Sequence, residues 1–304
     1  MSQDTADPER ALANAVAARR WGAGAAFEVR RIGEGANNTI WRAGGPGEDV
    51  AIKLSRAHRE AGALGEYRKE AWCAARAREA SLQTPAARDF GTIEGRAFAI
   101  LDFIYGTAPA PGAAVWCELG AMARKIHGVA TQGWGFTLSP DGRFEENWQA
   151  HLDYNIASLT SGDELIARGV FDWAGAKRLR GELDRLARAP LRFGLCHGDI
   201  ALWNVLIDRD GTSWLLDWGC AAAHVVPHYE INEILRTARP AAEQFEAFLA
   251  GYGLSQDAYA AMARDLRALS ALREVDTLRW AIEKSPSDIA TQIARARAAV
   301  AKLT

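Results

Sequence analysis

The spacing of apolar and polar residues changes character along the chain. Residues 8–20 are alanine-rich with interspersed charges and read as an opening helix, capped by Asp7 and carrying Pro8 in its first turn. Short runs rich in β-branched and aromatic residues follow at 27–32, 38–43 and 50–54. They are separated by the glycine-bearing turns Gly33-Glu34-Gly35 and Gly44-Gly45-Pro46-Gly47, which predicts an antiparallel meander. Residues 59–80 predict a long helix that stops before Pro85, and two further strands are expected at 87–93 and 97–103. Beyond the Gly/Pro-rich segment 106–112 the pattern turns helical, at 114–127, 144–158 and 173–189. Two short strands, 205–208 and 213–217, flank the turn Asp208-Arg209-Asp210-Gly211, and from His228 onward the chain is again helical. A β-rich front joined by a glycine-proline hinge to a helical back predicts an α+β fold of two lobes, residues 1–103 and 104–304.

Composition narrows the partners. Among 304 residues, Lys+Arg 36 against Asp+Glu 38 gives a net charge of −2, without the basic excess of a dedicated nucleic-acid binder. Hydrophobic residues at 49% and charged residues at 24% are ordinary globular values. Cys73, Cys117, Cys196 and Cys220 lie far apart with no C-x-x-C pair, so reduced, buried cysteines in a cytosolic protein are expected. The first twenty residues hold no apolar run. The least charged stretch, 103–117, is cut by Gly106, Pro109, Pro111 and Gly112 and cannot form a spanning helix. A cytoplasmic protein is expected, with no membrane, nucleic-acid or obligate protein partner.

The densest chemical signal is Cys196-His197-Gly198-Asp199-Ile200-Ala201-Leu202-Trp203-Asn204, running into a strand, with a second acid in Leu215-Leu216-Asp217-Trp218-Gly219. A loop, a strand, a tight turn and a returning strand place Asn204 and Asp217 at neighbouring strand ends, where they can share one ion. An amide oxygen and a carboxylate form a hard-oxygen pair suited to Mg²⁺, which keeps other positions for water and phosphates. Asp199, five residues before Asn204, faces the same region without being a required ligand. Four fixed residues at set spacing arise by chance in a chain of this length at roughly 0.2%, so the motif stands far above background.

The His-Gly-Asp-x₄-Asn loop followed by Asp-Trp-Gly resembles the catalytic loop and metal carboxylate of the kinase fold, in the form of the aminoglycoside phosphotransferase and choline kinase-like family. The resemblance implies ATP and Mg²⁺ as cofactors, Asp199 as the catalytic base, and Asn204 and Asp217 as metal ligands. It further implies that Lys53, in the apolar strand Val50-Ala51-Ile52-Lys53-Leu54, binds phosphates. Lys53 is then held by a glutamate of the next helix: Glu66 and Glu70 share a face, and Glu70 fits the family's spacing to Thr84-Pro85 better. Gly33, Gly35 and Asn38 resemble the nucleotide-positioning loop, and the backbone around Asp102 and Ile104 resembles the hinge that pairs with adenine. Ala123-Arg124-Lys125-Ile126-His127-Gly128 resembles the end of a family helix, with His127 structural and His197 bracing the loop. Glu230 in Pro227-His228-Tyr229-Glu230-Ile231 stands where relatives carry aspartate. The likeness runs from about Ile32 to Leu235, and the last seventy residues carry no recognised motif.

The implied activity is transfer of the ATP γ-phosphoryl group to a hydroxyl of a small molecule, an aminoglycoside-like antibiotic first and a choline, ethanolamine, thiamine or fructosamine-type metabolite second. A pseudokinase is disfavoured because Lys53, Asp199, Asn204 and Asp217 are all present; a protein kinase lacks support because no Ala-Pro-Glu segment follows Asp217. Glu118, Glu145, Glu146, Asp153, Asp163, Glu164, Glu230, Glu233, Glu274 and Asp276, with tryptophans that include Trp134 and Trp148, favour a cationic acceptor.

Overall fold

The computed structural model describes residues 7–35, 37–57, 62–284 and 289–303. The start of the helix expected at 59 and Ala36 of the glycine turn lie outside the described residues. Contacts divide the chain into two units, one of the chain through Pro111 with Thr137–Gly142 and Ala201–Ala221, the other of Gly112–Phe136, Arg143–Ile200 and Ala222 onward. The division expected at 103/104 is therefore corrected: 201–221 belongs with the first unit. The reason is hydrogen bonding, since Ile207 and Asp208 pair with Thr107 and Gly106, and Leu215 N donates to Gln83 O at 2.9 Å.

In the first unit, α1 (Pro8–Trp21) begins at Asp7, whose carboxylate accepts from Glu9 N at 3.0 Å. Strands β1 (Glu28–Glu34), β2 (Asn38–Gly45), β3 (Glu48–Ser55), β4 (Ala87–Ile93) and β5 (Arg96–Asp102) form an antiparallel sheet in the order β1-β2-β3-β5-β4. Alternation sorts the residues of β3. Val50, Ile52 and Leu54 join Leu12, Val16, Trp41 and Phe98 in the core under α1. Lys53 therefore points to the opposite face, the side on which Ala97 and Ala99 pack against Ala63 and Tyr67 of α2 (Ala63–Glu79). The same unit holds a second antiparallel sheet of β6 (Gly106–Thr107), β10 (Val205–Asp208) and β11 (Ser213–Leu215), in the order β11-β10-β6.

The second unit is mainly helical: α3 (Ala113–Ile126), α4 (Trp148–Ser158), α5 (Glu164–Ala167), α6 (Trp173–Leu186), α7 (His228–Arg236), α8 (Ala242–Tyr252), α9 (Gln256–Ala261), α10 (Ala263–Lys284) and α11 (Ile289–Ala301). Its core joins Leu179 and Leu183 of α6 to Leu272, Val275 and Leu278 of α10 and Val300 of α11. The motif-free C-terminal region thus completes this core. Helices α3 and α8 meet backbone to backbone, for a Cβ on Gly251 would lie 1.8 Å from Cys117 O. A small sheet orders β8 (Phe144–Glu146), β7 (Trp134–Leu138), β12 (Ala222–Val225) and β9 (Phe193–Cys196).

The helix expected over 144–158 starts later. Phe144 N bonds Gln132 O and its segment is a strand, while Asn147 caps the helix by accepting from Ala150 N at 2.9 Å. Strand β11 ends at Leu215 rather than 217, because Asp217 takes a left-handed backbone (φ 58°). Cys73 and Cys196 are buried as expected, but Cys117 and Cys220 are exposed. Among the described residues no helix is long and apolar enough to cross a membrane.

Candidate active site

The first unit assembles four of the expected site residues. Lys53 Nζ lies 2.7 and 2.8 Å from the two Glu70 carboxylate oxygens and 3.0 Å from Asp217 Oδ1. Glu70 rather than Glu66 is thus the partner on α2. Lys53 and Glu70 are almost fully buried, at 4% and 6% exposure. Burial pulls the Lys53 pKa down, but the carboxylates of Glu70 and Asp217 outweigh it and the net shift is upward. The lysine therefore stays a cation although it is almost fully buried. Asn204 ends a 3₁₀ turn (Leu202–Asn204) and Leu216 N donates to its carbonyl at 2.8 Å. With Val205 opposite Leu215, this pairing sets Asn204 beside the residue that precedes Asp217.

Asp217 departs from the strand in the left-handed region, which for a non-glycine residue costs about 1–3 kcal/mol and recurs at functional sites. Trp218, buried at 2%, anchors the next residue by donating from Nε1 to Thr84 Oγ1 at 2.7 Å. The Asp217 side chain stays half exposed and its Oδ1 also accepts from Gly219 N. Asn204 and Asp217 supply hard oxygens, the donor chemistry Mg²⁺ selects, so the residues present fit that ion.

Lys53, Glu70, Asn204 and Asp217 line one cavity of about 370 Å³. Gly33, Gly35 and Asn38 line it as well, and Gly35 N donates to Asn38 O at 2.8 Å to close the β1–β2 turn. The Asn38 amide oxygen accepts from Tyr67 OH. Ile40, Ala51, Leu101 and Leu206 give the cavity apolar walls, and Asp102 and Ile104 border it. Asp102 is more engaged than a bare hinge residue: its N–H bonds Ala86 O, and its carboxylate accepts from Ala86 N and Arg88 Nε. Trp203, 59% exposed, also lines this cavity. Motif spacing overlooked it because its position is not a fixed one.

Asp199 lies in the second unit, on the loop after β9. Gly198 before it adopts φ 79°, a conformation that favours glycine. Glu230 on α7, fully buried, accepts from His197 N at 2.8 Å and from Gly198 N at 3.0 Å. Burial raises the Glu230 pKa, but His127, His197 and the backbone donors overcome it and leave the carboxyl below its usual range. Glu230 is thus a clamp on the loop backbone, and His197 Nδ1 accepts from Asp199 N at 3.3 Å. His127 bonds Tyr252 OH through Nδ1 at 2.9 Å and faces Glu230, the structural place expected for it. His127, Cys196 and Glu230 come within 4.8 Å of one another. Burial raises the Cys196 thiol well above its ordinary pKa, and the Glu230 oxygens already serve amides, so this cluster suits packing better than metal ligation.

The second unit also gathers aromatic rings from β7, α4, β12 and α7. Trp134 lies 5.3 Å from Trp148 and 4.6 Å from His151, and His224 stacks on Tyr229 at 4.2 Å. Asp276 reaches within 3.6 Å of His151 Nε2. The acidic wall expected from the sequence is largely committed elsewhere. Asp163 pairs with Arg279, Glu164 with Arg168, Glu233 with Arg236 and Arg273, and Glu146 accepts from Phe136 N.

Burial, reinforced by His151 and Arg273, lowers the His224 pKa to about 3. The unfolded histidine titrates near 6.5, so between those values the unfolded chain binds the extra proton and stability falls as pH drops below about 6.5. His224→Asn is expected to flatten the pH dependence of unfolding between pH 6 and 4 by up to roughly 1 kcal/mol per pH unit. Urea titrations at several pH values test this, and an unchanged slope refutes it.

A family model described as "Phosphotransferase enzyme family" matches residues 28–287. No curated protein matches the sequence. In fold, the chain is similar to aminoglycoside phosphotransferase APH(4)-Ia, with a TM-score of 0.69 and 18% identity over 96% of this chain and 98% of that one. A thermostable mutant of that enzyme, in a ternary complex with ADP and hygromycin B, gives 0.66 and 20% over 94% and 97%. Choline kinase LicA from Streptococcus pneumoniae gives 0.61 and 12% over 97% and 99%. These likenesses establish an α+β, protein kinase-like fold.

Proposed function

The chain belongs to the phosphotransferase enzyme family, and from that membership we propose that it is an ATP-dependent kinase acting on a hydroxyl of a small molecule. The observation that carries the reading is the buried Lys53–Glu70 pair with Asp217 at 3.0 Å, on one apolar-walled cavity with Asn204. The apolar walls receive the adenine ring, with Ile104 at the rim, and the Gly33–Asn38 turn covers the phosphates. Lys53 neutralises phosphate oxygens, and Glu70 keeps it aimed. Asn204 and Asp217 would hold Mg²⁺, which would offset charge on the phosphate chain. Asp199 accepts the proton of the acceptor hydroxyl as its oxygen bonds to the γ-phosphorus, the bond from that phosphorus to the bridging oxygen breaks, and ADP leaves.

The acceptor in this reading is a small, hydroxylated, cationic molecule, an amino-sugar antibiotic before a choline or fructosamine-type metabolite. Its support is the aromatic group of Trp134, Trp148 and Tyr229 with Asp276 nearby, since ring faces and a carboxylate attract ammonium groups. A coupled ADP-release assay over aminoglycosides, choline, ethanolamine, thiamine, fructosamines and neutral nucleoside antibiotics tests both levels. Turnover of a cationic alcohol is expected. Turnover of neutral acceptors alone overturns the cationic assignment and leaves the kinase standing; no turnover and no ATP binding overturn the kinase.

A further inference from the structure

Helices α7, α9, α10 and α11 of the second unit surround a cavity of about 430 Å³, within the range of small-ligand sites. Five cationic side chains line it: Arg236 and Arg239 from and after α7, Arg267 from α10, Arg295 from α11 and Lys302 beyond it. Glu274, 7% exposed, is the one carboxylate on its wall. Arg236 is engaged by Glu233 through Nε at 3.1 Å, and Arg239 Nε donates to Arg236 O at 3.2 Å. Arg239, Arg267, Arg295 and Lys302 are exposed. A chain with a net charge of −2 has no general basic excess, so five cations against one acid around one cavity are a local concentration. Like charges lining one concavity raise its positive potential, which a bound anion offsets. Guanidinium forks in particular match phosphate and carboxylate oxygens in pairs. Buried Leu266 and Ala299 and the ring of Tyr259 line the same cavity with apolar surface that limits hydration of a bound ion.

We propose that this cavity is a binding site for a small anion of two or more negative charges, carried on phosphate or carboxylate groups. None of its residues lines the cavity of Lys53 and Asp217, and the proposed kinase reaction makes no use of them. The chemistry excludes a cationic occupant, so the site is separate in kind from the acceptor assigned above.

Isothermal titration of the full chain with inorganic pyrophosphate, and separately with citrate, tests the proposal. Wild type and Lys53→Met are both expected to bind at least one of the two anions with saturable heat, because the site does not involve Lys53. Arg267→Glu/Arg295→Glu is expected to weaken that binding by at least about tenfold, and Arg267→Lys/Arg295→Lys to retain most of it. Both positions are exposed, and thermal melting of each variant verifies that the fold is kept. A preference for pyrophosphate assigns the site to phosphate ligands and one for citrate to carboxylates. Failure of both anions to bind, loss of binding in Lys53→Met, or undiminished binding in the double glutamate variant overturns the proposal.

Discussion

Asp199→Ala is expected to lower phosphoryl transfer by about 10²–10⁴-fold, the usual worth of a positioned proton acceptor, while leaving nucleotide affinity close to wild type. The separation of effects follows from placement. Asp199 belongs to the loop of the second unit and does not line the cavity of Lys53, Glu70, Asn204 and Asp217. The loop backbone is held before Asp199, by Glu230 on the amides of His197 and Gly198, so truncating the side chain leaves that clamp in place. ADP release with an accepted substrate from the panel measures turnover, and direct titration measures nucleotide binding. Wild-type turnover in the variant removes Asp199 from the catalytic role. A parallel loss of nucleotide binding points instead to a structural defect.

Asp217→Asn is expected to abolish most of the Mg²⁺-dependent part of nucleotide affinity, and turnover with it. Of the two proposed ligands only Asp217 is anionic, and an amide is a poor substitute for a carboxylate on a hard dication. The loss should reach at least about 10–100-fold, the range that even changes outside the ligand sphere produce. Folding should survive, because the side chain is 53% exposed and Lys53 keeps its bidentate contact with buried Glu70. ATP affinity with and without Mg²⁺, in wild type and variant, gives a double difference. If that difference is unchanged, the ion is held by other residues.

The local content of the chain was legible without coordinates wherever a short-range rule dominates. Asp7 and Pro8 opening α1, and the glycine turns between the first strands, follow from backbone preferences that need no tertiary partner. The period of two in β3 alone assigns Lys53 to the face opposite Val50, Ile52 and Leu54, and helical spacing already marked Glu66 and Glu70 as the candidates for its partner. The His-Gly-Asp-x₄-Asn and Asp-Trp-Gly runs were readable because their residue types stand at a fixed spacing within a few positions of one another, inside the segment that matches the phosphotransferase enzyme family.

Other features had no local signal. Strands β7, β9 and β12 are short, and β9 is buried along most of its length, so they lack the alternation that identifies a half-buried strand. The aromatic group of Trp134, Trp148, His151, His224 and Tyr229 is drawn from four elements spread over nearly a hundred residues, and only packing brings it together. Three of the acidic residues that looked available for a ligand, Asp163, Glu164 and Glu233, are consumed by Arg279, Arg168, Arg236 and Arg273, pairings no composition reveals. The sequence by itself determined the opening helix, the five-strand meander with its helix α2, and the burial face of Lys53, because these depend on neighbours within a few residues. Tertiary structure alone decided that 201–221 joins the first unit, that Glu230 serves the loop rather than a ligand, and which charges remain exposed. The first two outcomes rest on hydrogen bonds between residues far apart in the chain, and the third on ion pairs both local, as Glu164–Arg168, and distant, as Asp163–Arg279.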